Sequence, residues 1–259
     1  MPAAAYYPSY RLNLLILAKI FFSVLTGRGR DFSSDARKLI KGITPPSVYI
    51  GLHNIPTSGP YLVTLNHYSR PGFIVFWAAA ALSAALPQTP IWLMTSAWTN
   101  RTKGLDQLRT WLTRKLFARM AKIYGFVTTP PMPPVVEESA DRVLNIRKLD
   151  RRLHEQPSPI LCMAPEGMDF TDGILGFPPE GTGKFILHVL KDLKRIQPVG
   201  VYEEDGKLNV NFGLVYDLDA YICQVKDDRE ITLQVMKKIA ALLPTRLRGQ
   251  YWVGQNTKR

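Results

Sequence analysis

The stretch LVTLNHYSRPGF, residues 62 to 73, joins an apolar run to a basic turn flanked by aromatic residues. The segment 61–65 (YLVTL) carries no charge and predicts a buried β-strand. Asn66 and His67 follow directly, and the next few residues contain no carboxylate. The stretch raises two questions: whether His67 is a catalytic base or an ordinary histidine at the end of a strand, and which group would hold such a base.

Strands and helices alternate along the rest of the chain. The turn Asp205-Gly206 predicts a hairpin between the last two strands. The pattern predicts an α/β fold with a mostly parallel central sheet flanked by helices. We expect strands at 61–65, 91–95, 159–167, 196–201 and 207–213, and helices at 71–86, 105–125, 137–155, 184–193 and 228–244.

Three of these helices carry more specific expectations. Pro71 is expected to open the first one. Apolar residues recur at threes and fours in 105–125, which predicts an amphipathic helix. The helix 137–155 is expected to turn Val143, Leu149 and Leu153 inward.

The charge of the chain favours an acidic partner. There are 33 Lys and Arg against 21 Asp and Glu, which gives a formal net charge of +12 at pH 7. Such a balance is typical of proteins that bind nucleic acid, an anionic membrane face or an acidic ligand. The basic residues are spread over several helices, which favours docking on lipid headgroups. No nucleic-acid motif is present, so we expect no nucleic-acid partner.

An apolar segment near the N-terminus, 12–25, supports a membrane partner. A helix of this length spans about 21 Å, which is short of a hydrocarbon core of about 30 Å. Arginines flank the segment on both sides. Two interpretations stay open: an interfacial or half-inserted helix, and a helix buried in the core. We expect a membrane-interfacial helical segment at 1–45 and an α/β domain at 46–259.

Two predicted strands end in polar residues. One ends in Asn66 and His67, and the other runs into Pro165, Glu166 and Gly167. Chemistry in open parallel sheets gathers at the carboxyl ends of the strands. We therefore expect the first strand to deliver a base, and the second a carboxylate or backbone donors, to one crevice.

Three ordered blocks resemble those of the glycerolipid (PlsC-like) acyltransferase superfamily. They are TLNHYSRPGF (64–73), LCMAPEGMDF (161–170) and GKFILHVLKDLKRIQPVGV (183–201). The family carries N-H-x-x-x-x-D, a glycine-arginine block, P-E-G-T-R, and an apolar helix leading to V-P-V-x-[IV]. The resemblance covers about residues 50 to 215.

The resemblance implies a reaction and roles for individual residues. A fatty acyl group would pass from a thioester to a hydroxyl, with His67 as the general base beside Asn66. Glu166 and Gly167 would belong to the loop on the acceptor side. The chemistry requires no metal.

The departures from the family pattern bear on the same roles. The position of the motif aspartate, five residues after His67, holds Gly72. Met168 and Asp169 stand where the third block has threonine and arginine, and residues 128–129 are threonines where an arginine is expected. The orienting carboxylate and both phosphate-holding arginines are therefore absent from their usual places.

Two interpretations remain. In the first, the chain is an acyltransferase with a rearranged site, in which Asp169 or Asp172 orients His67. Arg70 would meet a headgroup anion, or the acceptor would carry no phosphate. Lys184 is a second candidate substrate-binding cation. In the second, the fold is kept as a catalytically weak lipid-binding module.

A second Glu-Gly-Thr stands at 180–182 and competes for the third block. No apolar run typical of a strand precedes Glu180, whereas PILCM precedes Glu166, so we assign the block to Glu166.

The sequence thus predicts a peripheral acyltransferase at the cytoplasmic face of an anionic membrane. Its co-substrate would be acyl-CoA or acyl carrier protein, and its acceptor a lipid-like hydroxyl. We expect no bound cofactor and no metal.

Overall fold

A mixed eight-stranded sheet forms the centre of the molecule. The computed structural model describes residues 6–98, 105–131, 139–168, 173–218 and 227–251. The order across the sheet is β3-β9-β8-β4-β7-β5-β6, and β10 pairs with β8. These strands are β3 Val48–Ile50, β4 Tyr61–Leu65, β5 Ile91–Thr95, β6 Val127–Thr129, β7 Ile160–Met163, β8 Arg195–Glu204, β9 Lys207–Phe212 and β10 Tyr216–Asp217.

Parallel pairing dominates the sheet, as the alternation predicts. β4 pairs in parallel with β7 on one side and with β8 on the other, and β5 pairs in parallel with β6 and β7. β8 and β9 form the expected antiparallel hairpin. Its turn residues, Asp205 and Gly206, both have positive φ, which the tight hairpin turn requires. The predicted α/β fold class is confirmed.

Helices cover both faces of the sheet, because each face presents apolar residues to be buried. A separate two-stranded sheet pairs β1 Ser9–Tyr10 with β2 Ile43–Thr44. The helices are α1 Leu14–Thr26, α2 Phe32–Leu39, α3 Phe76–Ala85, α4 Leu105–Tyr124, α5 Ser139–His154, α6 Thr182–Leu193 and α7 Asp228–Ala240.

The predicted start of the helix at Pro71 is wrong, since α3 begins at Phe76. The amide of Phe73 donates to the carbonyl of Arg70 (3.0 Å), which closes a turn over Pro71 and Gly72. Gly72 has φ +80°. Proline followed by a residue with positive φ is the pattern of a type II turn, so Pro71 serves the turn instead of the helix.

One expectation about apolar faces needs correction. In α5, Leu149 and Leu153 are buried as expected, but Val143 is half-exposed. In α4, Leu108, Leu112 and Leu116 lie open to solvent. Their spacing is amphipathic, but the helix packs mainly through its last turn, where Ile123 and Tyr124 are buried.

The N-terminal helix α1 is buried along one face only. The side chain of Asn13 caps it by accepting from the amides of Leu15 (3.0 Å) and Ile16 (3.2 Å). One face packs into the core that also contains sheet residues, and the other face is exposed. The exposed apolar residues of α1 are Leu14, Leu15, Phe21, Phe22 and Leu25.

None of the helices in the described ranges combines the length and the apolar character needed to cross a bilayer. The division of the chain at residue 45 stays a prediction.

Helix α6 approaches α7 so closely that position 183 has no room for a side chain. A Cβ at Gly183 would lie 2.2 Å from the carbonyl oxygen of Asp228. We expect Gly183→Ala to lower the free energy of unfolding by about 1–3 kcal/mol, although alanine is the better helix former by about 1 kcal/mol. The measurement is urea denaturation. The control, Lys191→Ala on the exposed side of α6, should change stability by less than about 0.5 kcal/mol. Equal stability of the two variants would contradict the close approach.

Candidate functional site

The carboxyl ends of β4 and β7 meet at one edge of the sheet. The backbone amide of His67 donates to Oε2 of Glu166 at 2.5 Å, although the two residues are 99 positions apart. Glu166 is buried, with 1% of its surface exposed, while His67 is half-buried. The two polar strand ends that the sequence singled out therefore lie together.

Glu166 also binds the segment around Gly176. Its Oε1 accepts from the amide of Gly176 at 2.6 Å. A buried carboxylate requires such partners, and hydrogen bonds to a charged acceptor are stronger than those between neutral groups. The side chain of Glu166 therefore holds two backbone segments and sets the position from which the His67 ring projects.

Asn66 continues the contact between β4 and β8 beyond the end of the ladder. Its Oδ1 accepts from the amide of Val201 (2.7 Å), and its Nδ2 donates to the carbonyl of the same residue (2.8 Å). The side chain is buried. Because both ends of the amide bind backbone, the geometry assigns Asn66 to positioning.

A second buried carboxylate, Glu203 on β8, binds the turn that follows His67. Its Oε2 accepts from Nε of Arg70 and from the hydroxyl of Tyr68 (3.1 Å). Its Oε1 accepts from Nη2 of Arg70 (2.8 Å) and from the hydroxyl of Tyr10 (2.5 Å). Glu203 thus joins the N-terminal segment to the turn after β4.

The tyrosine and arginine side chains that bind Glu203 are held in their protonated forms. Burial, and then Glu203, raise the pKa of the Tyr10 and Tyr68 hydroxyls, so both stay protonated and donate. The hydrogen bond to Glu203 raises the pKa of Arg70. The third guanidinium nitrogen, Nη1, donates to the carbonyl of Pro71 (2.8 Å). Every nitrogen of this guanidinium therefore has a protein partner, which disfavours Arg70 as the headgroup ligand.

The remaining candidates lie in three places. Gly72 lies in the exposed turn described above and has a left-handed backbone. Because the residue is glycine, the position of the motif aspartate carries no side chain. The amide of Gly167 closes the turn after β7 on the carbonyl of Ala164 (3.1 Å). The amide of Lys184, in the first turn of α6, donates to Asp228 (2.7 Å) while its side chain is exposed. Asp169 lies outside the described residues.

The sequence analysis missed Glu203, Tyr68 and Tyr10. One signal was present for Glu203: an acidic residue follows the apolar run 198–202, so the rule applied to the other two strand ends also fits this one. Tyr10 offers no such signal, because its partner is 193 positions away. In the described ranges, no group of three or more His, Cys, Asp or Glu side chains could hold a metal ion.

We expect Arg70 and Glu203 to be strongly coupled, because their side chains are only 12% and 1% exposed. Either Arg70→Met or Glu203→Leu leaves a buried charge unpaired and should cost about 3–5 kcal/mol. The double variant should recover a substantial part, which gives a coupling free energy of about 2–3 kcal/mol. Urea denaturation of the four proteins measures it.

A matched pair controls this experiment. Arg246 and Glu204 form a salt bridge with side chains 54% and 39% exposed, and its coupling should stay below about 1 kcal/mol. Additive losses at Arg70 and Glu203 would contradict the described pairing.

No family model and no curated protein matches the chain. Among solved structures, the chain is similar to the 1-acyl-sn-glycerophosphate (LPA) acyltransferase PlsC from Thermotoga maritima. The TM-score is 0.48 and the identity 14%, over 92% of this chain and 89% of that one.

Proposed function

We propose that the protein transfers a fatty acyl group from acyl-CoA or acyl carrier protein to a lipid-like hydroxyl acceptor, at the cytoplasmic face of an anionic membrane. The observation that carries the proposal is the bond between the His67 backbone and the buried Glu166 at the carboxyl ends of two parallel strands. Open α/β sheets bind their ligands at this edge.

In the proposed reaction, the His67 ring removes the proton of the acceptor hydroxyl. The oxygen then attacks the thioester carbonyl, so a carbon–oxygen bond forms and the carbon–sulfur bond breaks. The departing thiolate takes the proton from the imidazolium, which restores His67. Glu166 contributes by positioning, because both of its oxygens bind backbone amides.

Asp169 or Asp172 remains the proposed orienting carboxylate. The segment 169–172 joins the turn at Gly167, which directly follows Glu166, to the stretch containing Gly176, whose amide binds Glu166. This connection supports keeping both aspartates as candidates. In a triad, loss of the orienting carboxylate costs about 10⁴ in rate, so the corresponding asparagine variant should reveal which of the two acts.

A second candidate function is lipid binding without catalysis. It is favoured by Gly72, which leaves no side chain where the family has its aspartate, and by the engagement of Arg70 with Glu203. The two candidates differ in one outcome, the release of thiol from a donor.

The membrane partner is supported by exposed apolar residues on two neighbouring helices. The C-terminal ends of α1 and α4 meet where Nη1 of Arg119 donates to the carbonyl of Val24 (3.2 Å). Isolated exposed apolar residues are common, but contiguous patches mark interaction sites. Besides those of α1, the exposed residues of α4 are Leu108, Trp111, Leu112 and Leu116.

We expect His67→Gln to lower the rate of thiol release by about 10²–10⁴-fold, the usual contribution of a general base. Purified protein is supplied with acyl-CoA or acyl carrier protein and a panel of lysolipid and neutral hydroxyl acceptors, and free thiol is measured. His53→Gln removes an exposed histidine outside the site and should keep full activity. Wild type that stays silent with every donor and acceptor would overturn the acyltransferase proposal in favour of the binding module.

We expect the double variant Phe21→Ser, Phe22→Ser to weaken binding to anionic vesicles by about 10-fold or more, since burying one such side chain contributes about 1.5–3 kcal/mol. Both residues are at least 60% exposed, so the fold should not suffer. Vesicle co-sedimentation measures the effect. Leu214→Ser, which changes a residue 75% exposed after β9, is the control. Equal binding by all three proteins would argue against docking through α1.

A further inference from the structure

A cleft of about 710 Å³ opens between α1, α2 and the loop that joins them. It is built from residues of the N-terminal segment alone and includes none of the residues around His67. Its lining residues are Leu15, Ala18, Lys19, Phe22, Ser23, Arg28, Gly29, Arg30, Asp31, Ser34, Asp35 and Lys38.

Among the residues that the structure describes, one of the cations that line the cleft, Arg30, forms a salt bridge. Asp35 is buried and binds Nε and Nη2 of Arg30 at 2.7 and 2.6 Å, and it also accepts from the hydroxyl of Tyr124 (2.9 Å). This network fixes Arg30 as part of the wall. Asp31, the other carboxylate, caps α2 through the amide of Ser34 (2.5 Å) and accepts from Thr89 (2.5 Å).

Three cations remain at the cleft. Lys19, Arg28 and Lys38 are exposed, and no ion pair engages them within the described part of the chain. Four cations and two carboxylates leave the cleft with two excess positive charges. Like charges gathered around one concave site repel each other, and a bound anion removes that cost.

The cleft also has an apolar side. Leu15 and Phe22 lie on α1 with 75% and 60% of their surfaces exposed, and they line the same cleft as the cations. A ligand that satisfies both sides must carry an anionic group next to an apolar body. Free phosphate supplies the first property only.

We propose that this cleft binds an anionic phospholipid of the bilayer. Its headgroup phosphate lies against Lys19, Arg28 and Lys38, and the first part of its acyl chains lies against Leu15 and Phe22. The inference rests on the proposed docking of α1 at a membrane and is independent of the proposed acyl transfer. It gives the docked protein a defined headgroup site in addition to diffuse surface charge.

The test uses monomeric lipid, so that the surface potential of a vesicle does not contribute. Dihexanoyl phosphatidylglycerol, below its micelle concentration, is titrated into the full chain, and its binding is measured by calorimetry. The double variant Arg28→Ala, Lys38→Ala should lose about 10-fold or more in affinity, because it removes two of the three cations that face the phosphate. The matched control Arg37→Ala, Lys41→Ala removes the same charge from exposed positions of the same region that do not line the cleft, and it should bind like wild type.

Two further arms identify the ligand. Phe22→Ser should weaken binding of the lipid but leave binding of inorganic phosphate unchanged, and dihexanoyl phosphatidylcholine should bind more weakly than phosphatidylglycerol. All the substituted positions are exposed, and thermal melts of each variant check that the fold is kept.

Four results would each overturn the proposal: no binding of phosphatidylglycerol by wild type, equal losses in the two double variants, phosphate binding as tight as the lipid, or equal binding of phosphatidylcholine. Any of them would leave the thiol-release experiment, and hence the acyl-transfer proposal, untouched.

Discussion

The geometry of the candidate site depends on a buried carboxylate that binds two backbone amides. Glu166 accepts one amide from the end of β4 and another from the chain at Gly176. A carboxylate this deeply buried is costly unless its oxygens are satisfied. The two amides supply those hydrogen bonds and in return are fixed with respect to each other. This arrangement requires β4 and β7 to be parallel neighbours in the observed register, and it places His67 at their common edge.

Buried polar side chains also connect β4 to its neighbour on the other side, β8. Asn66 binds the backbone of β8, and Glu203 on β8 binds Tyr68 and Arg70. Successive residues after β4 are thus attached to β8, to β7 and again to β8. The backbone of the half-buried His67 is bound by Glu166, and the residues that follow it are bound by Glu203, which gives the fixed position that a base requires. Tyr10 extends this scaffold to the segment that leads into α1, so that segment and the turn after His67 share one anchor.

The sequence predicted those features that local pattern encodes. The strands at 61–65 and 91–95 were predicted with their observed bounds, and the Asp205-Gly206 hairpin followed from turn chemistry. The meeting of His67 and Glu166 followed from one topological rule. The pairing of Arg70 with Glu203 did not follow, because Arg70 lies in the turn beyond the strand end, where no sequence pattern names a partner. The start of α3 was missed because proline serves both helix starts and type II turns, and Gly72 decides between them. The exposed face of α4 was missed because periodicity shows that a helix is two-sided and does not show what covers its apolar side.

The account makes His67 the base that acts on an acceptor hydroxyl at the edge shared by β4 and β7. The most direct measurement is the structure of the protein bound to a thioether analogue of acyl-CoA together with a lipid acceptor. The account predicts the acceptor oxygen at about 2.6–3.2 Å from a ring nitrogen of His67, with the analogue's thioether group beside it and the Glu166 contacts unchanged. An acceptor or acyl group bound away from this edge, with the His67 ring contacting neither, would contradict it.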